Sequence, residues 1–436
     1  MNEIQNYSRS PYGFLLQGSL EIYSLSLYYM CLEYEQKPDF FKKYMTRPHF
    51  IRSLRLTNCD SPLRHSPVFL RCRENFPQVI FMHRNFRIVP QIMFGSGSFN
   101  QLEDVLKPKR VTGGGFMVFI IDDVFSGKEL EKRLPMRGKD LLVPVDVTHE
   151  PKTKLIDELV VKIRHYAPVN PDGVIGIGGG STMDIAKAVS LMLTNPGSSA
   201  DYQGWDLIET PAIYHVGIPT LAGTGAEISR TCILTGPVKK LGINSDYTLF
   251  DQLILDPELI EGVPQDQWFY TGMDCFIHNI ESLHGCMLNS FSKAYGEKSL
   301  ELCREVFVDN HPESAEKLMM ASYFGGMSIA YSQVGACHAL SYGISYVLGI
   351  HHGIGCCIAM NVLEDIYPEG VAEFHDMMKR HNINLPKIMP EDISREDMEL
   401  MITTTLNLEP LWENCLGKEW RTQMPRERVE AYFRRM

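Results

Sequence analysis

From residue 82 onward the apolar positions fall into short runs whose period changes from one run to the next. PQIMFGSG (90–97) reads as a strand closing on glycines, FNQLEDVLK (99–107) as a helix, FMVFIIDD (116–123) as a buried strand and FSGKELEKRL (125–134) as another helix. DLLVPVDV (140–147) is a further strand, and KLIDELVVKIRHYA (154–167) has the i, i+3, i+4 spacing of an amphipathic helix. DGVIGIGGGS (172–181) is a strand running into a glycine turn. Such alternation predicts a parallel sheet with helices on its faces. Near Pro264 the pattern changes, and the segments from Trp268 on read as helices with short polar breaks: MDCFIHNIESL, SLELCREVFV, SAEKLMMASYFGGMSIAYSQ, GACHALSYGISYVL and GIGCCIAMNVLEDI. The expected architecture is an N-terminal dinucleotide-binding α/β domain over 82–265 and an all-α domain over 266–436, with the cleft between them as the default site.

Residues 1–81 do not share this grammar. They hold 10 Lys and Arg against 7 Asp and Glu, in a chain whose net charge is −11, and no sustained period of 2 or 3.6 runs through them. Three readings stand for this atypical extension: a poorly ordered tail, a basic regulatory segment, or a start assigned too early, because Met82 opens a clean run. The apolar stretch 12–32 carries Glu21 in its middle and lacks the charged-then-apolar order of a secretory signal. No window approaches the roughly 18 uncharged apolar residues of a membrane span. The eleven cysteines contain no CxxC pair, which fits reduced thiols in a cytoplasmic protein better than a disulfide framework. The acidic balance argues against a general nucleic-acid binder, which needs basic surface to displace counterions. No membrane or nucleic-acid partner is expected.

Two glycine-rich segments look suited to a dinucleotide. In VIGIGGGSTMDIAKA an apolar strand meets Gly178, Gly179 and Gly180, and a helix starts at Ser181. Absent Cβ atoms let backbone approach a ligand, and the unpaired N–H groups of the new helix suit a pyrophosphate. The spacing is neither GxGxxG nor GxxxxGK[ST]. A bland alternative is a tight turn in which Ser181 and Asp184 form a capping box. VGIPTLAGTGAEIS offers Thr220 and Thr224 from another side, or is simply a loop. Asp122, ending FMVFIIDD, could accept hydrogen bonds from a ribose and repel a 2′-phosphate, favouring NAD over NADP, or could cap the next helix; Asp123 could share either role.

The helical half carries the sharper signal. Asp274 and His278 lie four residues apart in GMDCFIHNIE, on one helical face, and His338 and His352 follow in GACHALSYGISYVLGIHHG. Three imidazoles and a carboxylate suit a divalent ion such as zinc or ferrous iron and disfavour calcium or magnesium. A single helical His is usually structural, but four such residues in apolar segments would be costly without a shared partner.

Taken together, FGSG, IIDD, DGVIGIGGGSTMDIAKA, PTLAGTGAEIS, KKLGI, LILDPEL and the Asp/His/His/His set make the chain after residue 81 resemble the group III, or iron-type, alcohol dehydrogenases. The resemblance implies a Rossmann-like N-terminal domain and a helical C-terminal domain in a dehydroquinate synthase-like architecture, NAD in the cleft, and iron or zinc at Asp274, His278, His338 and His352. It also implies a ribose contact from Lys240, oxidation of a small-molecule alcohol, and a homodimer or larger assembly. One departure stands out: the family places a second histidine four residues after the first, where this chain has Tyr342. Tyr342 could relay a proton, bond the substrate or fill space, although a phenol is a poor base at neutral pH. His351 is a possible substitute, and Arg230 and His284 are candidate partners for a substrate carboxylate or hydroxyl. Rival readings are an NAD- and zinc-using sugar lyase of the dehydroquinate-synthase type, which would present Glu in place of Asp274, and a catalytically silent metal- and nucleotide-binding protein.

Overall fold

A computed structural model describes residues 87–110, 115–309 and 313–436; the extension assigned to 1–81 lies outside them. The strands are β1 (Gln91–Phe94), β2 (Met117–Asp122), β3 (Leu141–Val145), β4 (Gly173–Gly178), β5 (Gly204–Trp205), β6 (His215–Pro219), β7 (Thr231–Thr235), β8 (Lys240–Asn244) and β9 (Gln252–Leu255). Six form a parallel sheet in the order β1-β9-β6-β4-β2-β3. MVFIID and GVIGIG are apolar without alternation because β2 and β4 are buried on both faces at the sheet's centre, whereas β1, at the edge, is largely exposed.

The connections decide where a ligand can enter. The chain steps from β2 outward to β3, then returns to β4 on the other side of β2 and continues through β6 and β9. The order therefore reverses between β2 and β4, and their carboxyl ends, Asp122 and Gly178, flank the crevice such a reversal opens. Helix α1 (Thr153–Tyr166) turns Ile156, Leu159, Val160 and Ile163 inward at the predicted spacing. Helix α2 (Gly180–Met192) is buried from Thr182 to Met192, being clamped between the sheet and a small second sheet of β5, β8 and β7. That second sheet is absent from the sequence reading. Its strands have two to five residues, too few for a clear period, although Cys232 and Leu234 of β7 do alternate inward. The helix expected over 125–134 shrinks to Glu129–Lys132, because Asp123–Phe125 forms a 3₁₀ turn and Gly127 sits at φ 72°.

Pro264 ends the strand-bearing half, and α3 (Gln265–His284) starts at the next residue. Then come α4 (Ser290–Phe307), α5 (Ser314–Tyr331), α6 (Ala336–Leu348), α7 (His352–Met360), α8 (Pro368–Arg380), α9 (Arg395–Leu406), α10 (Glu409–Leu416) and α11 (Arg426–Phe433). Helix α3 is buried continuously from Phe269 to Ser282 and forms the axis of this half. One apolar cluster runs from Val118 and Ile120 of β2 through α2 to α3 and Phe433, so the sheet and the helices share a core. The loop after β6 seals the junction by backbone contact. Gly223 lies at φ 147°, where a Cβ would fall 1.7 Å from the Thr271 carbonyl oxygen, and Gly225 lies at φ 63°, where one would fall 2.7 Å from Gly326 Cα. Glycine is needed there to let loop and helices touch.

Among the described residues the cysteines are all free thiols, and no helix is long and apolar enough to cross a membrane. Gly223→Ala should destabilise the protein by about 3 kcal/mol or more, combining overpacking with an unfavourable backbone conformation. Urea denaturation followed by circular dichroism reads this loss, and an unchanged midpoint would contradict the close-contact account of the loop.

Candidate metal and dinucleotide site

Helix α3 sets the geometry, since residues i, i+4 and i+7 share one of its faces and these positions are Asp274, His278 and Glu281. His338 enters from the first turn of α6 and His352 opens α7. The Nε2 atoms of His338, His278 and His352 lie 3.3, 3.7 and 3.7 Å from Asp274 Oδ1. The His278 and His338 rings stack with centroids 4.7 Å apart, and His338 meets His352 at 5.2 Å. All four residues predicted as ligands are thus brought to one point.

These groups are costly to leave as they stand. Asp274 is fully buried and His278 and His338 are nearly so. Both Asp274 carboxylate oxygens, His338 Nε2 and His278 Nδ1 are buried with no hydrogen-bond partner. Unsatisfied buried polar groups cost several kcal/mol together, and a divalent cation at the point of convergence would satisfy three of these four atoms. The donor set therefore fits a transition-metal ion. Burial drives the His278 imidazole down to about 4, with Asp274 opposing and His338 assisting, which keeps that ring neutral and able to ligate. Burial disfavours charge on His338 too, yet the adjoining Cys356, Glu281 and Asp274 hold it well above the usual imidazole range.

Three residues of this centre escaped the sequence reading. Glu281 is buried and accepts a hydrogen bond from His338 Nδ1, as well as from the backbone N–H groups of Cys337 at 2.6 Å and His338 at 3.3 Å. It fixes the tautomer that turns Nε2 toward Asp274, an outer-sphere arrangement common around ligating histidines. Its signal was available in the i+7 spacing. Glu150 accepts the His352 backbone N–H at 3.0 Å and pairs with Lys240 Nζ at 3.2 Å. Burial raises its carboxyl, but Lys240 and His352 outweigh that and hold it low; nothing in its loop sequence marks it. Cys356, one helical turn beyond His352, brings Sγ to 3.7 Å from His352 Nε2.

A cleft of about 1260 Å³ runs from this cluster to the carboxyl ends of β2 and β4. Gly179, Gly180, Ser181, Thr220, Thr224, Asp122, Asp123, Lys240, Tyr342 and His351 all line it. Helix α2 starts with Gly179 at its N-cap and no side-chain cap, so its first N–H groups are available to an anion. The capping box considered for Ser181 and Asp184 does not form: Asp184 lines the cleft but accepts the Ile233 N–H at 3.1 Å instead. Asp122 caps a turn through the Val124 N–H at 3.0 Å while remaining at the cleft wall. Gly178 lies behind the wall, where a Cβ would fall 2.4 Å from Thr182 Oγ1, so packing explains its glycine. Lys187, unassigned from sequence, is buried and donates to the Ser229 and Thr231 carbonyls at 2.9 and 3.0 Å and to that of Ala226, tying α2 to the threonine loop.

Tyr342 sits one turn after His338 with its ring 5.6 Å from that of His352 and 5.5 Å from Lys240 Nζ; burial pushes its hydroxyl far up, away from general-base chemistry. His351 is exposed at the N-terminus of α7. Arg230 is held by Asp206 and by Asp246 at 3.1 Å, and the His284 ring is bonded to the Ile280 carbonyl oxygen at 2.7 Å. Neither residue is among those that line the cleft.

The "Iron-containing alcohol dehydrogenase" family profile matches residues 90–257, and the "Fe-containing alcohol dehydrogenase family, C-terminal" profile matches 268–408. The chain belongs to the iron-containing alcohol dehydrogenase family. Sulfoacetaldehyde reductase of Bilophila wadsworthia (strain 3_1_6) is 29% identical over 278 residues, 61% of this chain and 70% of that protein. NAD-dependent methanol dehydrogenase of Bacillus methanolicus is 28% identical over 290 residues, 64% and 74% of the two chains. Among solved structures, sulfoacetaldehyde reductase from Bifidobacterium kashiwanohense in complex with NAD+ superposes with a TM-score of 0.67 at 22% identity, covering 81% of this chain and 98% of that one. Membership makes this dehydrogenase an oxidoreductase of the alcohol/aldehyde type.

Two outcomes follow from the geometry. Glu281→Gln keeps the shape but removes the charge that fixes His338, and should weaken divalent-metal binding by about 10- to 100-fold with secondary structure intact; chelator competition measures this, and an unchanged affinity would exclude the orienting role. Burial, opposed by Lys187 and the Ile233 N–H, raises the Asp184 carboxyl from 3.8 to about 7. A folded value above the unfolded one means that its stabilising contribution is complete below about pH 4 and is lost as pH rises through about 7. Asp184→Asn should therefore flatten the fall in melting temperature between about pH 5 and 7; an identical slope in both proteins would assign that fall to other groups.

Proposed function

We propose that this dehydrogenase oxidises a primary alcohol to an aldehyde at one divalent ion, zinc or iron, held by Asp274, His278, His338 and His352, with NAD as hydride acceptor. The observation that carries this reading is the convergence of four buried donors, three with unpartnered atoms, at one end of a cleft whose other end is a bare helix N-terminus. When bound, the ion would act as a Lewis acid that makes the substrate hydroxyl easier to deprotonate, and the nicotinamide would supply the redox chemistry.

The protein's own groups orient and exclude. Gly179, Gly180 and Ser181, with Thr220 and Thr224, would hold the pyrophosphate, and Asp122 at the β2 end would accept a hydrogen bond from a ribose hydroxyl and disfavour a 2′-phosphate. Lys240, its charge balanced by Glu150, lines the same cleft and would bond the second ribose. Tyr342 is best suited to positioning, as its phenol stays protonated and can donate a hydrogen bond. His351, exposed at the rim, offers a route by which the proton leaving the substrate hydroxyl reaches water.

For the substrate we infer a sugar acid, specifically the terminal alcohol of 3-deoxy-manno-octulosonate in lipopolysaccharide sugar biosynthesis. The assembled motifs resemble 3-deoxy-manno-octulosonate 8-oxidase, and the helical end of the cleft presents Gln267, Gln333, Thr403, Thr404 and Asn407, amides and hydroxyls suited to a polyhydroxylated chain. A cytoplasmic homodimer or larger assembly is the setting this reading expects. His338→Ala should lose the bound metal and lower NAD reduction by about 100-fold or more with a panel of primary alcohols and sugar acids. Metal content by elemental analysis and turnover are followed together. Full turnover in a metal-free variant would sink the assignment.

A further inference from the structure

Three cysteines, Cys337, Cys356 and Cys357, lie where α6 and α7 meet, and all are fully buried. A buried free cysteine ordinarily acts as a small apolar filler, and two of the three fit that description. Cys337 turns its thiol to the Cys356 carbonyl oxygen at 3.1 Å, and Cys357 is absent from the cluster of potential ligands. Cys356 is different. With Asp274, His338 and His352 it forms a set whose ligand atoms all lie within 4.8 Å of one another. It shares the face of α7 that carries His352, being four residues further on.

The separations match a coordination shell. Bonds of about 2.0 to 2.3 Å put neighbouring ligand atoms roughly 2.8 to 3.8 Å apart at the angles of a shell of four to six ligands, so a fifth protein ligand still leaves a position for the substrate hydroxyl. The observed values are 3.3 Å for His338 Nε2 to Asp274 Oδ1 and 3.7 Å for His352 Nε2 to Asp274 Oδ1; Cys356 Sγ lies 3.7 Å from His352 Nε2 and 3.8 Å from Nδ1, beside the ring, so the thiol would have to turn toward the Nε2 side to complete the shell. Independently of the thiol, the unpartnered oxygens of Asp274 and the unpartnered Nε2 of His338 mark this space as one that needs a cation.

We propose that Cys356 is a sulfur ligand of the ion at this centre, making it a mixed nitrogen, oxygen and sulfur site. This rests on the metal site proposed above. On binding, the thiol gives its proton to solvent and the sulfur lone pair forms the bond to the metal, so no redox change is involved. A thiolate softens the donor set and biases it toward zinc over ferrous iron, in contrast to the metal for which the family is named.

The experiment uses the full chain, stripped of metal and reloaded with cobalt(II) or with zinc. The cobalt protein should show a near-ultraviolet sulfur-to-cobalt charge-transfer band, and zinc-edge X-ray absorption should find a sulfur neighbour at about 2.3 Å. Cys356→Ser should lose both signals and bind zinc at least about 10-fold more weakly, with ferrous iron affected less. Cys357→Ser, equally buried and one residue away, should retain both. If Cys356→Ser does not fold, the spectra of the unaltered protein still decide. A stoichiometric metal surrounded only by nitrogen and oxygen would overturn the sulfur ligand while leaving the Asp/His/His/His site intact. Failure to take up either metal would remove the site itself and the sulfur ligand with it.

Discussion

A carboxylate buried with no hydrogen bond to either oxygen is the constraint around which this molecule is arranged. Asp274 is fully enclosed by α3 and its neighbours, and neither oxygen receives a hydrogen bond. Such a group is tolerated only where a cation compensates it or where it takes up a proton. The three imidazoles around it argue for a cation, because each turns a ring nitrogen inward. Glu281 holds one of those rings in place through its far nitrogen, and Glu150 fixes the start of the helix that carries another.

The same economy links the site to the fold. The reversal of strand order between β2 and β4 opens a crevice at their carboxyl ends, and α2 leaves it with uncapped N–H groups. Lys187, buried inside α2, ties the threonine loop to that helix, while Gly223 and Gly225 press the loop onto α3 and α5. The cradle for an anion and the cage for a cation are thereby held by one shared core. Hydride transfer requires that fixed distance, since donor carbon and acceptor ring must meet in near-contact geometry.

Much of this was legible in the sequence where chemistry and periodicity coincide. The Asp274 and His278 spacing, the glycine turn and the change of pattern at Pro264 each carry a local physical signal: the structure sets Asp274 and His278 side by side, starts a helix at the glycine turn and begins α3 directly after Pro264. Gly178 was read as part of the cradle, but its neighbour Thr182 explains it, because close packing and ligand approach leave the same mark on a sequence. Arg230 looked available for a substrate, yet Asp206 and Asp246, 24 and 16 positions away, occupy it. Such long-range pairings, like those of Glu150 with Lys240 and His352, have no periodic trace. Glu281 and Cys356 were visible as positions on helical faces already in use, and only the convergence of those faces gave them meaning. The small sheet of β5, β7 and β8 was missed because its strands are too short to show alternation.

Crystallographic data collected on the purified full chain above and below the absorption edges of zinc and iron would locate and identify a bound ion in one experiment. The arrangement described here predicts a single anomalous peak enclosed by Asp274, His278, His338 and His352. A well-ordered structure of active protein with no peak at that position, or with the carboxylate of Asp274 satisfied by some other group, would contradict it.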